Sequence, residues 1–292
     1  METAEERSHA KLNLSIDVLS KRTDGYHDLK MIMCSVEFGD DVIVSLRSDG
    51  EIRCTSNLPW LPVDGRNLAV KAAEAFFESV SETNPGVEIR LEKRVPVGAG
   101  MAGGSANAAA VLRALNSLTG VNMDGASLRA VGLKVGSDVP YCITGGNRLA
   151  EGRGEILTLL SPIPQCSVVI CKPSFSVSSP ELYRVIDSHQ LRTHPDTGGM
   201  VDAMEKGDLK GIARRMYNVF EDVLPRSYHE IHSIRSRLLD LGAIGAVMTG
   251  TGSAVFGLYD DPDKAAEAQS HLRGLYRDCF LTRIRNEPLM RD

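Results

Sequence analysis

The chain of 292 residues is 42% hydrophobic, 24% charged and only 5% aromatic, a globular profile long enough for one large domain or two modest ones without metal or disulfide staples. A formal net charge of −5 excludes the basic field that would draw nucleic acid or an anionic membrane surface. The six cysteines contain no Cys-x-x-Cys pair, the polar N-terminus has no apolar leader core and no stretch reaches about 18 uninterrupted apolar residues, so buried thiols in a cytoplasmic protein are expected.

Strand-like runs open the chain at 9–19, 29–38 and 41–47, with turn chemistry at Thr23-Asp24-Gly25 between the first two. Leu68, Ala72, Ala75 and Phe76 share one face of a helix predicted from Arg66 to Glu82, and a strand follows at 87–91. A glycine loop leads into a helix over 105–118 with an alanine-rich face, and a shorter helix is predicted over 123–135. Beyond Pro173 the pattern predicts helices near 179–188, 199–217 and 227–241, with 193–199 as a surface loop and a strand pair flanking Gly250 and Gly252. A strand-rich half followed by a mixed, helix-rich half predicts an α+β fold of two lobes. The boundary falls near Pro162 and Pro164, giving domains 1–160 and 161–292. No internal repeat or low-complexity segment is visible.

The loop runs Pro96, Val97, Gly98, Ala99, Gly100, Met101, Ala102, Gly103, Gly104, Ser105, Ala106. It joins a predicted strand to a predicted helix, so backbone amides at the helix N-terminus converge where an anion, most naturally phosphate, can sit. Gly98, Gly100, Gly103 and Gly104 are expected to give a ligand access to the main chain and to permit positive φ. Formally, Gly98 to Gly103 satisfies G-x-G-x-x-G, but a dinucleotide fold needs another parallel strand after the helix, where this chain reads as loop and helix. A P-loop NTPase would carry Gly-Lys-Ser/Thr at the loop's end, and protein kinases carry H-R-D and D-F-G; this chain has neither pattern at those places.

The loop resembles the P-x-G-A-G-L-x-G-G-S-S-D/N-A-A phosphate loop of the galactokinase, homoserine kinase, mevalonate kinase and phosphomevalonate kinase superfamily. Ala10-Lys-Leu-Asn-Leu14 and Lys21-Arg-Thr-Asp-Gly-Tyr-His27 are similar to the opening of one of its families, the 4-diphosphocytidyl-2-C-methyl-D-erythritol kinases. Asp64-Gly-Arg-Asn-Leu68, Gly136-Ser-Asp-Val-Pro140, Gly152-Arg-Gly-Glu155 and Met248-Thr-Gly-Thr-Gly-Ser-Ala-Val-Phe256 extend the likeness over almost the whole chain. Met101, Ala102, Ala106 and Asn107 depart from the commonest pattern without removing a charged group expected to do chemistry.

The resemblance implies an N-terminal ATP-binding domain, an active site in the cleft between the lobes, and ATP with Mg²⁺ as the co-substrate. The reaction it implies is phosphorylation of the 2-hydroxyl of 4-diphosphocytidyl-2-C-methyl-D-erythritol, a step of non-mevalonate isoprenoid precursor synthesis. Competing readings are another hydroxyl kinase of the superfamily and a silent nucleotide-binding relative.

Within the site, the resemblance makes Asp138 the base that accepts the hydroxyl proton and Lys11 the cation that holds that hydroxyl; alone, they would read as a helix cap and an exposed strand lysine. The segment 97–106 would supply amides to the phosphates, and Ser105 would reach a phosphate oxygen or the metal, unless it only caps the helix. Asn67 has the same double reading, nucleotide contact or N-cap. Tyr26, His27 and Tyr183 would clamp the cytosine and Asn13 would touch the sugar alcohol; Tyr183 reads equally as helix packing and His27 as surface. The cytidylyl sugar alcohol is the expected partner, with no nucleic acid or membrane, and the chain is expected to be a monomer or weak homodimer. His229 and His232 lack the spacing of a zinc helix and read as solvated surface.

Overall fold

The computed structural model describes residues 2–80 and 84–290. Two long antiparallel strands, β1 (Thr3–Lys21) and β2 (His27–Leu46), begin the chain, and a turn whose Arg22 amide donates to the Tyr26 carbonyl at 2.8 Å joins them. Two strands were expected where β2 runs unbroken. Gly39 lies where the break was read, and its missing side chain lets β1 close in: a Cβ there would sit 2.2 Å from the Ser8 carbonyl oxygen.

A register shift between Asn13 and Ser15 displaces the alternation of β1 by one residue. Lys11, Asn13 and Ile16 consequently line the same cavity, although strict alternation would send Ile16 to the opposite face.

After β3 (Ile52–Ser56), helix α1 (Leu68–Val80) and β4 (Val87–Glu92), the chain enters the glycine loop and α2 (Gly103–Leu118). The expected end of α1 at Glu82 lies outside the described residues. Ala106, Ala108, Ala109, Ala110 and Ala114 are buried, so α2 lies close on α1 and β1, where a larger side chain would cost about 1–3 kcal/mol of overpacking. Next come α3 (Gly125–Val135), capped by Asp124 on the Ser127 amide at 2.8 Å, α4 (Val139–Thr144), β5 (Arg148–Gly152) and β6 (Ile156–Leu159).

β7 (Ser167–Lys172), α5 (Ser179–Asp187), α6 (Thr197–Glu205) and α7 (Leu209–Arg214) open the second half. One helix was expected over 199–217, and the chain makes two. Gly207 turns left-handed (φ 63°) and the Asp208 carboxylate caps the Gly211 amide at 2.8 Å, which starts a new helix. The two-residue β8 (Tyr217–Asn218), two 3-10 turns (Val219–Val223 and Arg226–Tyr228) and α8 (His229–Asp240) lead to β9 (Gly245–Met248) and β10 (Val255–Tyr259). These last two form the expected strand pair around the second glycine turn.

After α9 (Pro262–Arg273), the last strand, β11 (Asp278–Arg285), pairs with both β7 and β2. It thereby joins the two strand systems into one path, β3-β4-β2-β11-β7-β10-β9, with β1 and β5 also on β2, β6 on β5 and β8 on β1. All six cysteines are buried and unpaired, as expected. Among the described residues no helix is long and apolar enough to cross a membrane.

Candidate active site

A cavity of about 960 Å³ gathers the glycine loop, the second half of β1, the β1–β2 turn, the start of α4 and one face of α5. Every site residue named from the sequence, apart from Ala106, lines it. Ala106 is buried beneath the loop in the first turns of α2, and its amide already donates to the Ala102 carbonyl at 2.8 Å rather than to the cavity.

Lys11 is almost fully buried, contrary to the exposed-strand reading, and its ammonium donates to Asn13 Oδ1 at 2.6 Å and to the Gly100 carbonyl at 2.8 Å. Burial lowers its pKa, and the charge of Asp138 opposes that shift, which puts the two groups in one electrostatic neighbourhood. Asp138 occupies the N-cap position of α4, yet its side chain makes no cap hydrogen bond. The carboxylate faces the cavity instead of serving the helix, so the capping reading does not account for it.

α2 begins at Gly103, two residues before the expected start, with Ala102 in the left-handed conformation (φ 55°) at the N-cap position. Ser105 therefore stands in the first turn of the helix rather than at its cap, and its hydroxyl lines the cavity. Asn67 does cap: its Oδ1 accepts the Ala69 amide at 3.0 Å and its Nδ2 donates to the Pro62 carbonyl at 2.7 Å, on the cavity rim.

The glycines of the loop serve the protein more than was expected of them. A Cβ on Gly100 (φ 75°) would sit 2.1 Å from the Thr249 carbonyl oxygen, and one on Gly250 (φ 58°) would sit 2.7 Å from the Gly100 carbonyl oxygen. The two glycine turns are thus pressed backbone to backbone. Ala254 donates to the Ala99 carbonyl at 3.2 Å, and Asn13 Oδ1 accepts the Gly250 amide at 3.1 Å. Asn218, fully buried, donates from Nδ2 to the carbonyls of Met248 and Gly250, both at 2.8 Å.

Behind the loop, the buried pair Lys93 and Asp40 is joined by Asn107. Lys93 Nζ donates to Asn107 Oδ1 at 2.8 Å, and Asp40 accepts the Arg94 and Val95 amides at 2.6 and 2.7 Å. No local pattern identifies Asn218 or Lys93 in the sequence, because each acts through partners distant along the chain.

At the other end of the cavity, His27 stacks on Tyr183 with ring centroids 4.7 Å apart, and Tyr183 meets Phe220 edge-on at 5.1 Å. His27 is buried, so the surface reading fails; its Nε2 contacts Asp187 Oδ1 at 2.6 Å, and Lys21 pairs with the other carboxylate oxygen. Hydrogen bonds from His27 and then Lys21 hold the Asp187 pKa below the usual range. Burial raises that of Tyr183. Tyr26 is half exposed at the mouth, with the Arg153 guanidinium carbon 3.9 Å from its ring centroid. Among the described residues no group of three or more His, Cys, Asp or Glu could hold a metal on its own, which includes His229 and His232.

The arrangement suits transfer of a phosphoryl group. A helix N-terminus and loop amides face one end, aromatic rings face the other, and a buried ammonium and a carboxylate with no capping hydrogen bond lie between.

Comparison with known proteins agrees with this geometry. Residues 67–146 match the family described as GHMP kinases N terminal domain, and residues 200–278 match GHMP kinases C terminal. The chain is 41% identical over 281 residues to the 4-diphosphocytidyl-2-C-methyl-D-erythritol kinase of Alkaliphilus metalliredigens, covering 96% of both proteins. It is 42% identical over 277 residues to that of Clostridium botulinum, covering 95% of this chain and 98% of the relative. A crystal structure of a 4-(cytidine 5'-diphospho)-2C-methyl-D-erythritol kinase superposes with a TM-score of 0.79 at 32% identity, covering 96% of this chain and 99% of the other. Homoserine kinase from Cytophaga hutchinsonii shares the fold, with a TM-score of 0.73 at 19% identity over 99% of this chain and 97% of the other.

Proposed function

This chain belongs to the 4-diphosphocytidyl-2-C-methyl-D-erythritol kinases of the GHMP kinase family, and from that premise we propose that it transfers the γ-phosphoryl group of ATP to the 2-hydroxyl of 4-diphosphocytidyl-2-C-methyl-D-erythritol, in non-mevalonate isoprenoid precursor synthesis. The observation that carries the reading is the meeting, in one cavity, of the glycine loop, Lys11, Asp138 and the Tyr26, His27 and Tyr183 rings.

Phosphoryl transfer needs little covalent help from a protein; positioning and charge stabilisation carry most of the barrier reduction. In this reading the amides of 97–105 cradle the β- and γ-phosphates at the N-terminus of α2. Asp138 takes the proton of the 2-hydroxyl as its oxygen attacks the γ-phosphorus, the bond to the β-phosphate oxygen breaks, and ADP leaves. Lys11, anchored by Asn13 and Gly100, holds the attacking oxygen and offsets charge on the transferring group. Tyr26, His27 and Tyr183 hold the cytosine, and Asn13 adjoins the sugar alcohol.

Ser105, on the cavity wall, is the residue that would help hold the Mg²⁺ that accompanies the nucleotide. When bound, the ion neutralises charge on the β- and γ-phosphate oxygens.

The test is ADP production with ATP and Mg²⁺ against a panel of acceptors: the cytidylyl compound, methylerythritol phosphate, mevalonate, homoserine and galactose. Turnover confined to the cytidylyl compound is expected. Preference for another acceptor would overturn the substrate assignment while leaving the fold and phosphate loop intact. ATP binding without any turnover would favour a silent relative.

A further inference from the structure

The Gly152-Arg-Gly-Glu turn between β5 and β6 belongs neither to the phosphate loop nor to the catalytic pair. Gly152 (φ 66°) and Gly154 (φ 108°) let it turn tightly, and the turn sets Arg153 on the cavity wall with its guanidinium over the Tyr26 ring at 3.9 Å.

That charge has no carboxylate of its own among the described residues. Glu155, the nearest in sequence, folds back to accept the Arg153 backbone amide at 2.5 Å. The Asp24 carboxylate feels the Arg153 charge, but its hydrogen bonds come from Arg22 and the Tyr26 amide. Arg153 Nε is buried and donates to no acceptor among the described residues.

The other cations of the cavity are engaged. Lys21 pairs with Asp187, Arg66 with Asp64 and Lys93 with Asp40, while the Lys11 ammonium is held by Asn13 and Gly100. Arg184 also lacks a carboxylate, but it is exposed on α5 and its Nε donates to the Pro180 carbonyl at 3.3 Å. An uncompensated guanidinium braced on the aromatic clamp is therefore a feature of the acceptor end.

We propose that Arg153 is a specificity-determining residue that binds the diphosphate of the acceptor, its flat face stacked on Tyr26 and its N–H edge donating to phosphate oxygens. A guanidinium fork matches phosphate oxygens in pairs, and stacking on an aromatic face fixes its plane before the ligand arrives. The inference rests on the cytidylyl acceptor reading above.

Calorimetric titration of CDP and of cytidine separates the two ideas, with wild type, Arg153→Met and Arg153→Lys compared. Wild type is expected to prefer CDP, and Arg153→Met to lose about 10- to 100-fold in CDP affinity with cytidine affinity unchanged, the scale of hydrogen bonds to a charged group. Arg153→Lys is expected to keep part of the preference through its charge. Acceptor KM should rise in parallel in Arg153→Met, with KM for ATP unmoved. Equal weakening of CDP and cytidine would make Arg153 only a brace for Tyr26 and overturn the proposal, as would a CDP preference that survives in Arg153→Met. If wild-type enzyme bound neither ligand, the acceptor reading itself would fall and the inference with it.

Discussion

The two ends of the cavity are built from different materials. At the phosphate end main chain meets main chain: Gly100 against Thr249, Gly250 against Gly100, Ala254 on Ala99, with Asn13 and Asn218 stitching the turns from buried positions. At the acceptor end side chains meet side chains, with His27 on Tyr183, Asp187 between His27 and Lys21, and Arg153 on Tyr26. An end made of backbone tolerates almost no added atom but suits any nucleoside triphosphate, since phosphates are alike. An end made of side chains can be re-specified by substitution, and discrimination between acceptors belongs there. Lys11 and Asp138 stand at the junction.

The largest effect is expected at that junction. Asp138→Asn keeps the size of the side chain, removes its basicity and touches no cap hydrogen bond, so ATP affinity and melting temperature should stay near wild type. Turnover should fall about 10²- to 10⁴-fold, the usual scale for a general base. Single-turnover kinetics beside nucleotide titration checks both halves; unchanged turnover would remove Asp138 from the mechanism.

Next in size is a probe of the backbone-built end. Gly100→Ala forces a side chain into left-handed φ and against the Thr249 carbonyl, with Gly252 O at 3.0 Å as well. A destabilisation of about 2–4 kcal/mol with weakened ATP binding is expected. Gly98→Ala is the contrast: it shares the left-handed φ, but its Cβ would meet only the Ser176 side chain, Oγ at 2.6 Å and Cβ at 2.9 Å, and no packed carbonyl. Urea titrations of the two variants should therefore differ, with Gly100→Ala the less stable; equal midpoints would undo the claim that the two glycine turns rely on backbone contact.

This contrast also explains what could be read from the sequence. The phosphate end announces itself, because glycines in a run and a helix start leave a local pattern, and Lys11 and Asp138 stand in short segments similar to the family's. The partners did not announce themselves. Asn218 and Lys93 act across long sequence separations, and nothing near them distinguishes a stitching side chain from a surface one. Local reading also misplaced features that tertiary contact decides: β2 runs through Gly39 because β1 needs the room, α6 and α7 part at Gly207, and Ser105 sits inside α2 rather than capping it. At the acceptor end the rings were legible, but their orientation by Asp187 and Arg153 depends on α5 and the β5–β6 turn folding against β1–β2.

A smaller effect tests the side-chain end. Asp187→Asn removes the charge that holds both His27 and Lys21 while leaving the backbone of α5 in place. Acceptor KM is expected to rise about tenfold, the cost of one charge-assisted hydrogen bond, with KM for ATP unchanged. A shift in ATP KM of the same size would show that the two ends are not as separable as their construction suggests.

The smallest effect concerns acid stability of the scaffold behind the phosphate end. His9 precedes Lys11 on β1; its Nδ1 lies 3.0 Å from the Val36 carbonyl, and burial with the positive charges of Arg285, Arg7 and Arg113 pushes its imidazole down to about 4 against the Val36 bond. Above pH 6.5 the ring is neutral folded or unfolded. Between 6.5 and about 4 the unfolded chain takes up a proton that the folded chain refuses, so His9 withdraws stability as the pH falls through that window. The ring is partly open to solvent, which screens the effect to on the order of 1 kcal/mol, or about 2–4 °C in melting temperature. His9→Asn keeps a donor for the Val36 carbonyl and removes the titration. Its melting temperature should match wild type within about 1–2 °C at pH 7.5 and exceed it at pH 4.5. Parallel curves for the two proteins across that range would show that the acid sensitivity of this region lies in other groups. A variant already unstable at pH 7.5 would mean that the imidazole is needed for its shape and not merely its neutrality.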